Sequence, residues 1–185
     1  MPDLQTEIPA APVLIPLVAV LMLTAWLKWR DRLLAAWAAT FYLAGVIGVT
    51  LLPLQIATGV YANGTDWYGK ANIIPLLTID PVTFMLNIVL TLPFGFLLPM
   101  LRPIRGLAHI AALAFLFSAT IEVVQLITNV TVSSGRLADV NDLIANTLGG
   151  AIGFLASRAV GRAFGGRLPM TAVGGQAEPM SARRS

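Results

Sequence analysis

Six residues between positions 122 and 146 have types and spacings that could do chemistry: Glu122, Gln125, Arg136, Asp139, Asp142 and Asn146. They fall in and between two segments that are otherwise apolar enough to cross a bilayer, where a charged side chain costs roughly 2.5 to 3.5 kcal/mol even on lenient scales. Residues kept at that cost mark either an ion-paired brace or a working site. Glu122 is the candidate acid or base if the site is catalytic. Asp139-x-x-Asp142 with Glu122 offers oxygen ligands that suit Mg²⁺ and phosphoryl transfer, but the positive Arg136 would compete for the same carboxylates. No metal and no other cofactor is therefore expected. Ser133 and Ser134 lack a visible base, the chain has no cysteine, and its one histidine, His109, sits at the far end of its own span. The glycines near position 150 form no phosphate cradle, because amide donors inside a helix are already used.

These groups must be held by membrane-spanning elements. The 185 residues are 57% hydrophobic and 11% charged, against about 25% charged in an ordinary soluble domain. An all-α, polytopic membrane helix bundle follows. Five apolar runs stand out, at about residues 11–27, 33–54, 82–101, 107–128 and 140–160, each long enough for a bilayer of roughly 30 Å at about 1.5 Å per residue. Pro93 within the third removes a backbone donor and predicts a kink or local unwinding. Residues 55–80 carry the turn formers Asn63-Gly64 and the aromatics Tyr61, Trp67 and Tyr68, which predicts an irregular loop at the membrane surface. The chain divides into an N-terminal tail and first helix (1–32), a four-helix membrane domain (33–160) and a disordered cytoplasmic tail (161–185) rich in Gly, Pro and Ala.

The basic residues set the orientation. With the N-terminus outside and the C-terminus inside, ten of the twelve Lys and Arg residues face the cytoplasm and only Lys70 and Arg136 face out. The positive charge thus speaks to topology, and no nucleic-acid partner is expected. Measured from the expected ends of the spans, Asn87, Glu122 and Asn146 each lie about 8 to 9 Å below the outer surface. Glu122 and Gln125 share one face of the fourth helix, while Asp139, Asp142 and Asn146 share one face of the fifth. Arg136 would hang over both sets from the short loop between them.

The ordered series Asn72-x-x-Pro75, Asn87, Pro93-Phe-Gly95-Phe, Glu122-x-x-Gln125 and Arg136-x-x-Asp139-x-x-Asp142-x-x-x-Asn146-x-x-Gly149 resembles the VanZ-like family over about residues 40–158. That family takes its name from a membrane protein that lowers susceptibility to the glycopeptide teicoplanin. Leu76 departs from the pattern, since an aromatic is expected after Asn-x-x-Pro. The resemblance implies a multi-pass protein of the bacterial cytoplasmic membrane. It also implies a role at the outer face, where lipid-linked cell-wall precursors meet the antibiotics that bind them.

Two functions of different classes follow. In the first, the protein binds without catalysis: Arg136 and Asn72 contact the phosphate or sugar of a lipid-linked headgroup or lipoglycopeptide, and a groove beside the third helix takes the acyl chain. Asn87, Glu122, Gln125, Asp139, Asp142 and Asn146 complete that ligand-binding set, and membrane lipids are the general partner. In the second, a membrane enzyme acts on a lipid-linked cell-wall precursor with Glu122 as acid or base. Each group also has a plainer role. Glu122, Arg136 and the aspartates can form a buried brace, the asparagines can join helices, and Gly149-xxx-Gly153 can let two helices approach closely.

Overall fold

The computed structural model describes residues 3–62, 64, 66–76 and 78–164. Five helices dominate it: α1 (Ala10–Lys28), α2 (Leu33–Thr50), α3 (Pro81–Leu101), α4 (Leu107–Val132) and α5 (Val140–Ala163). All five are long and apolar enough to cross a membrane. The polytopic helical architecture is the one expected from the apolar runs. Beyond Phe164, the stretch read as a tail lies outside the described residues.

Several elements differ from the sequence reading. α2 stops at Thr50 and not near residue 54, because Pro53 cannot donate within a helix and biases Leu52 away from helical backbone. The residues after it form a strand, β2 (Leu54–Thr58), which pairs antiparallel with β1 (Leu4–Ile8) in the register Leu4↔Thr58 to Ile8↔Leu54. The N-terminal tail and part of the supposed loop are thus one two-stranded ribbon, helped by the β-branched Thr6, Ile8, Ile56 and Thr58. Helix α4 continues four residues past Thr128 to Val132 and closes on Ser133 in the left-handed conformation (φ 53°). Helix α3 runs unbroken through Pro93 and Pro99, so the expected unwinding does not occur. Around Pro93 the helix is closely packed: Phe94 stacks on Phe117 of α4 at 4.8 Å between ring centroids, and Gly95 lies directly on the Gly150 backbone of α5.

The core of the bundle is α3 against α5, with α4 packed on α5. Small residues make this possible. A side chain at Gly149 would strike the Ile88 carbonyl and the Thr91 hydroxyl, and one at Gly153 would strike the Leu92 carbonyl. The close approach expected from Gly149-xxx-Gly153 is therefore present, with Gly95 supplying a third contact from the facing helix. The α1–α2 hairpin leans on this core mainly through α2. One end of the bundle carries the β1–β2 ribbon, the described residues among 59–80, and the segment 133–139. The other carries the 29–32 and 102–106 turns with Lys28, Arg30, Arg32, Arg102 and Arg105.

Candidate functional site

The site is assembled where two short strands, β3 (Ala71–Asn72) and β4 (Ala138–Asp139), pair in parallel with Asn72 opposite Asp139. Asp139 caps α5: its Oδ1 accepts the Asn141 amide at 2.7 Å. The same carboxylate accepts Asn72 Nδ2 at 3.0 and 3.1 Å on its two oxygens. Its own backbone N–H donates to Glu122 Oε2 at 2.8 Å. Glu122 is only 7% exposed, so this amide is a main source of the hydrogen bonding a buried carboxylate requires. Asn72 also donates to Thr78 Oγ1 at 2.6 Å. Asn141 Oδ1 accepts the Leu76 amide at 2.8 Å, holding Leu76 at φ 65°, a conformation a branched side chain rarely adopts. Residues 71–76 and 78 are thereby fastened over the start of α5.

Asp142 lies one turn into α5, half-buried, with the Asn87 carboxamide of α3 turned toward it. Asn87 Nδ2 is nevertheless buried without a well-formed hydrogen bond. Asp139 and Asp142 lie close enough to Glu122 that the three carboxyl groups form one cluster. Asn146 is 2% exposed and donates to Ser118 Oγ at 2.8 Å, while its Oδ1 has no partner. Glu122 therefore stands level with Asp139, and Asn146 stands level with Ser118 one turn deeper. The common level expected for Glu122 and Asn146 is not kept, since Asn146 meets α4 at Ser118, one turn away from Glu122.

Arg136 does not hang over the carboxylates. Its Nη1 donates to the Val49 carbonyl at 3.2 Å and its Nη2 to the Leu52 carbonyl at 3.0 Å. Gln125 Nε2 donates to the Thr50 carbonyl at 3.0 Å, while its buried Oε1 has no partner. Both side chains thus bind the carbonyl end of α2, where a helix has unsatisfied acceptors and its dipole favours a cation. Arg136 is a brace for α2, and among the described residues no ion pair joins it to Glu122, Asp139 or Asp142.

Lys70, Asn141 and Thr78 belong to this end although sequence reasoning gave them no role. Lys70 is 6% exposed and donates to the Asn129 carbonyl at 2.7 Å, at the end of α4. Asn129 in turn donates to the Arg136 carbonyl at 2.6 Å and accepts the Gly135 amide at 3.3 Å. A lone lysine in a polar loop gives no signal of burial. Asn141, two residues after a recognised Asp139, could have been suspected as part of the same helix start.

The arrangement is a set of hydrogen-bond acceptors reachable through half-buried Asn72, Asn87, Asp139 and Asp142, backed by the buried Glu122, Gln125 and Asn146. Such a set can receive hydroxyl, amide or ammonium donors. Among the described residues no cluster of three or more carboxylate, imidazole or thiolate groups has the geometry to hold a metal ion. The helices and the polar end together define a multi-pass membrane protein with a polar site at one end of its bundle. Residues 17–161 match the VanZ/LLP1 family model, and the chain belongs to that family. No curated protein and no solved structure matches the chain.

Proposed function

We propose that the protein is a non-enzymatic binder at the outer face of the bacterial cytoplasmic membrane, receiving the headgroup of a lipid-linked cell-wall precursor or a lipoglycopeptide. The observation that carries this reading is the acceptor-rich cluster of Glu122, Asp139 and Asp142 beside two buried carboxamide oxygens, on Gln125 and Asn146, that have no partner. Buried polar atoms are nearly always satisfied, and a ligand rich in donors would satisfy these. Sugar hydroxyls, peptide amides and ammonium groups are such donors. A phosphate fits worse, since the carboxylates repel it and the terminal nitrogens of Arg136 are engaged with α2. Retaining a lipoglycopeptide in this way would lower teicoplanin susceptibility.

The outward direction of the cluster rests on charge. The turns at the opposite end carry Lys28, Arg30, Arg32, Arg102 and Arg105, which favour the cytoplasm. Single cysteines test it readily in a chain that has none: Tyr68→Cys should react with an impermeant maleimide in intact cells, and Arg105→Cys only after lysis. The reverse pattern overturns the orientation. For binding, the protein in nanodiscs is titrated with teicoplanin and with a lipid-linked disaccharide-pentapeptide. The isosteric Asp142→Asn variant, shown folded by its helical circular dichroism, should lose about tenfold in affinity, equivalent to about 1.4 kcal/mol. Wild-type protein that binds neither compound, or a folded variant that binds as wild type does, contradicts the proposal.

A further inference from the structure

At the basic end of the bundle the helices separate. Trp29 Nε1 donates to the Leu101 carbonyl at 3.3 Å and Arg32 Nη1 to the Met100 carbonyl at 2.8 Å, fastening the α1–α2 turn to the last turn of α3. Beside these bonds a crevice of about 540 Å³ opens between α2 and α3. That size falls within the roughly 300 to 1,000 Å³ of small-ligand sites. Its walls are hydrocarbon and aromatic, from Leu43, Phe94, Leu97 and Leu98, and an aqueous metabolite would find few hydrogen bonds there. Lys28 and Arg102 also line it, and among the described residues no acidic side chain does.

The charges sit where headgroups lie. The Lys28 ammonium is 5.2 Å from the centre of the Trp29 ring, and the Arg30 guanidinium is 4.8 Å from that of Trp26, the pairing of aromatics with cations found at membrane interfaces. Tyr42 belongs to the same wall, and its hydroxyl is buried near the Phe94 backbone without a well-formed hydrogen bond. The crevice thus combines an apolar channel with two cations at its lining. A molecule that complements both has an aliphatic chain and an anionic phosphate.

We propose that this crevice binds one anionic phospholipid, with its phosphate at Lys28 and Arg102 and an acyl chain running inward past Leu98 and Leu97 toward Leu43. This site lies at the opposite end of α3 from the carboxylate cluster and does not depend on what the cluster binds. Arg contributes a planar fork of donors to the phosphate and Lys a point charge.

Native mass spectrometry of the full chain, purified in detergent and given equimolar phosphatidylglycerol and phosphatidylcholine of matched chains, tests the site. Wild-type protein should retain one phosphatidylglycerol, at least about fivefold over phosphatidylcholine, a difference of about 1 kcal/mol. The Lys28→Gln/Arg102→Gln double variant changes only exposed side chains and should lose that preference. Ala39→Trp, which fills the crevice, should lose both lipids. Equal retention of the two lipids by wild type overturns the proposal, as does a double variant that keeps the preference. A wild-type dimer that Ala39→Trp converts to monomer also overturns it, by giving the crevice to a second copy of the chain.

Discussion

The two ends of α3 sit in contrasting surroundings although one uninterrupted helix joins them. At its start, the neighbouring segments are bound by side-chain hydrogen bonds running from Asn72 through Asp139 to Glu122. At its finish, two bonds from Trp29 and Arg32 hold the adjacent turn, and an apolar crevice lies beside them. The difference follows from what each end must accommodate. Carboxylates and carboxamides withdrawn from water require partners at fixed geometry, so the polar end is closely specified. Leucine and phenylalanine walls in lipid require only contact, which a lipid chain supplies as well as a neighbouring helix does.

The largest effect should come from breaking the seam that connects the ends. Gly153→Leu forces a side chain into the Leu92 backbone and should cost about 3 kcal/mol, seen as loss of the monodisperse, cooperatively unfolding species in detergent. Near-normal thermal unfolding of that variant would show that α3 and α5 do not pack as described. Next comes Asp139→Ala, which removes the α5 cap and both bonds to Asn72. It should cost about 2 kcal/mol and speed hydrogen exchange in residues 71–76, whereas Arg102→Ala at the other end should stay within about 0.5 kcal/mol of wild type. Equal costs would erase the contrast between the two ends.

Arg136→Lys should be smaller, about 1 kcal/mol, because one ammonium cannot reproduce the paired contacts to Val49 and Leu52. Its effect on headgroup affinity should be well below that of Asp142→Asn. An affinity loss as large as that variant's, with stability unchanged, would return Arg136 to the ligand.

The smallest effect concerns Asp80, the exposed cap of α3. Hydrogen bonds from the Thr83 hydroxyl and from the Thr83 and Val82 amides hold its carboxyl below the ordinary 3.8. A lowered value in the folded state means its support for the helix is complete above the ordinary value and is lost as pH falls through the lowered one. Amide exchange at Val82 and Thr83 should therefore rise in that acid window, and Asp80→Asn should abolish the pH dependence. A pH-independent first turn in wild type would remove the cap from the account.

The sequence made some of this legible and hid the rest for identifiable reasons. Apolar runs of about twenty residues have few alternatives to membrane-spanning helices, so the number and order of the spans could be read directly. Gly149 and Gly153 gave the close helix contact because small residues at that spacing have a packing role in lipid. Pro53 could have ended α2 correctly, yet hydropathy ran through it. The β1–β2 pairing joins residues about fifty apart and leaves only a weak alternating pattern in each partner. Arg136 was misplaced because opposite charge suggested the carboxylates, whereas the nearer demand came from the unsatisfied carbonyls at the end of α2.

The most direct test of the binding assignment asks where a bound headgroup touches the chain. A lipid-linked disaccharide-pentapeptide carrying a photoreactive diazirine on its sugar is added to the protein in nanodiscs, irradiated, and the attachment sites are read by peptide mass spectrometry. Attachment should concentrate within residues 71–76, 84–88 and 137–143, and should fall when unlabelled headgroup competes. Attachment concentrated at residues 28–43 or 97–102, or spread evenly along the lipid-facing helices, would contradict the assignment of the carboxylate end as the binding end.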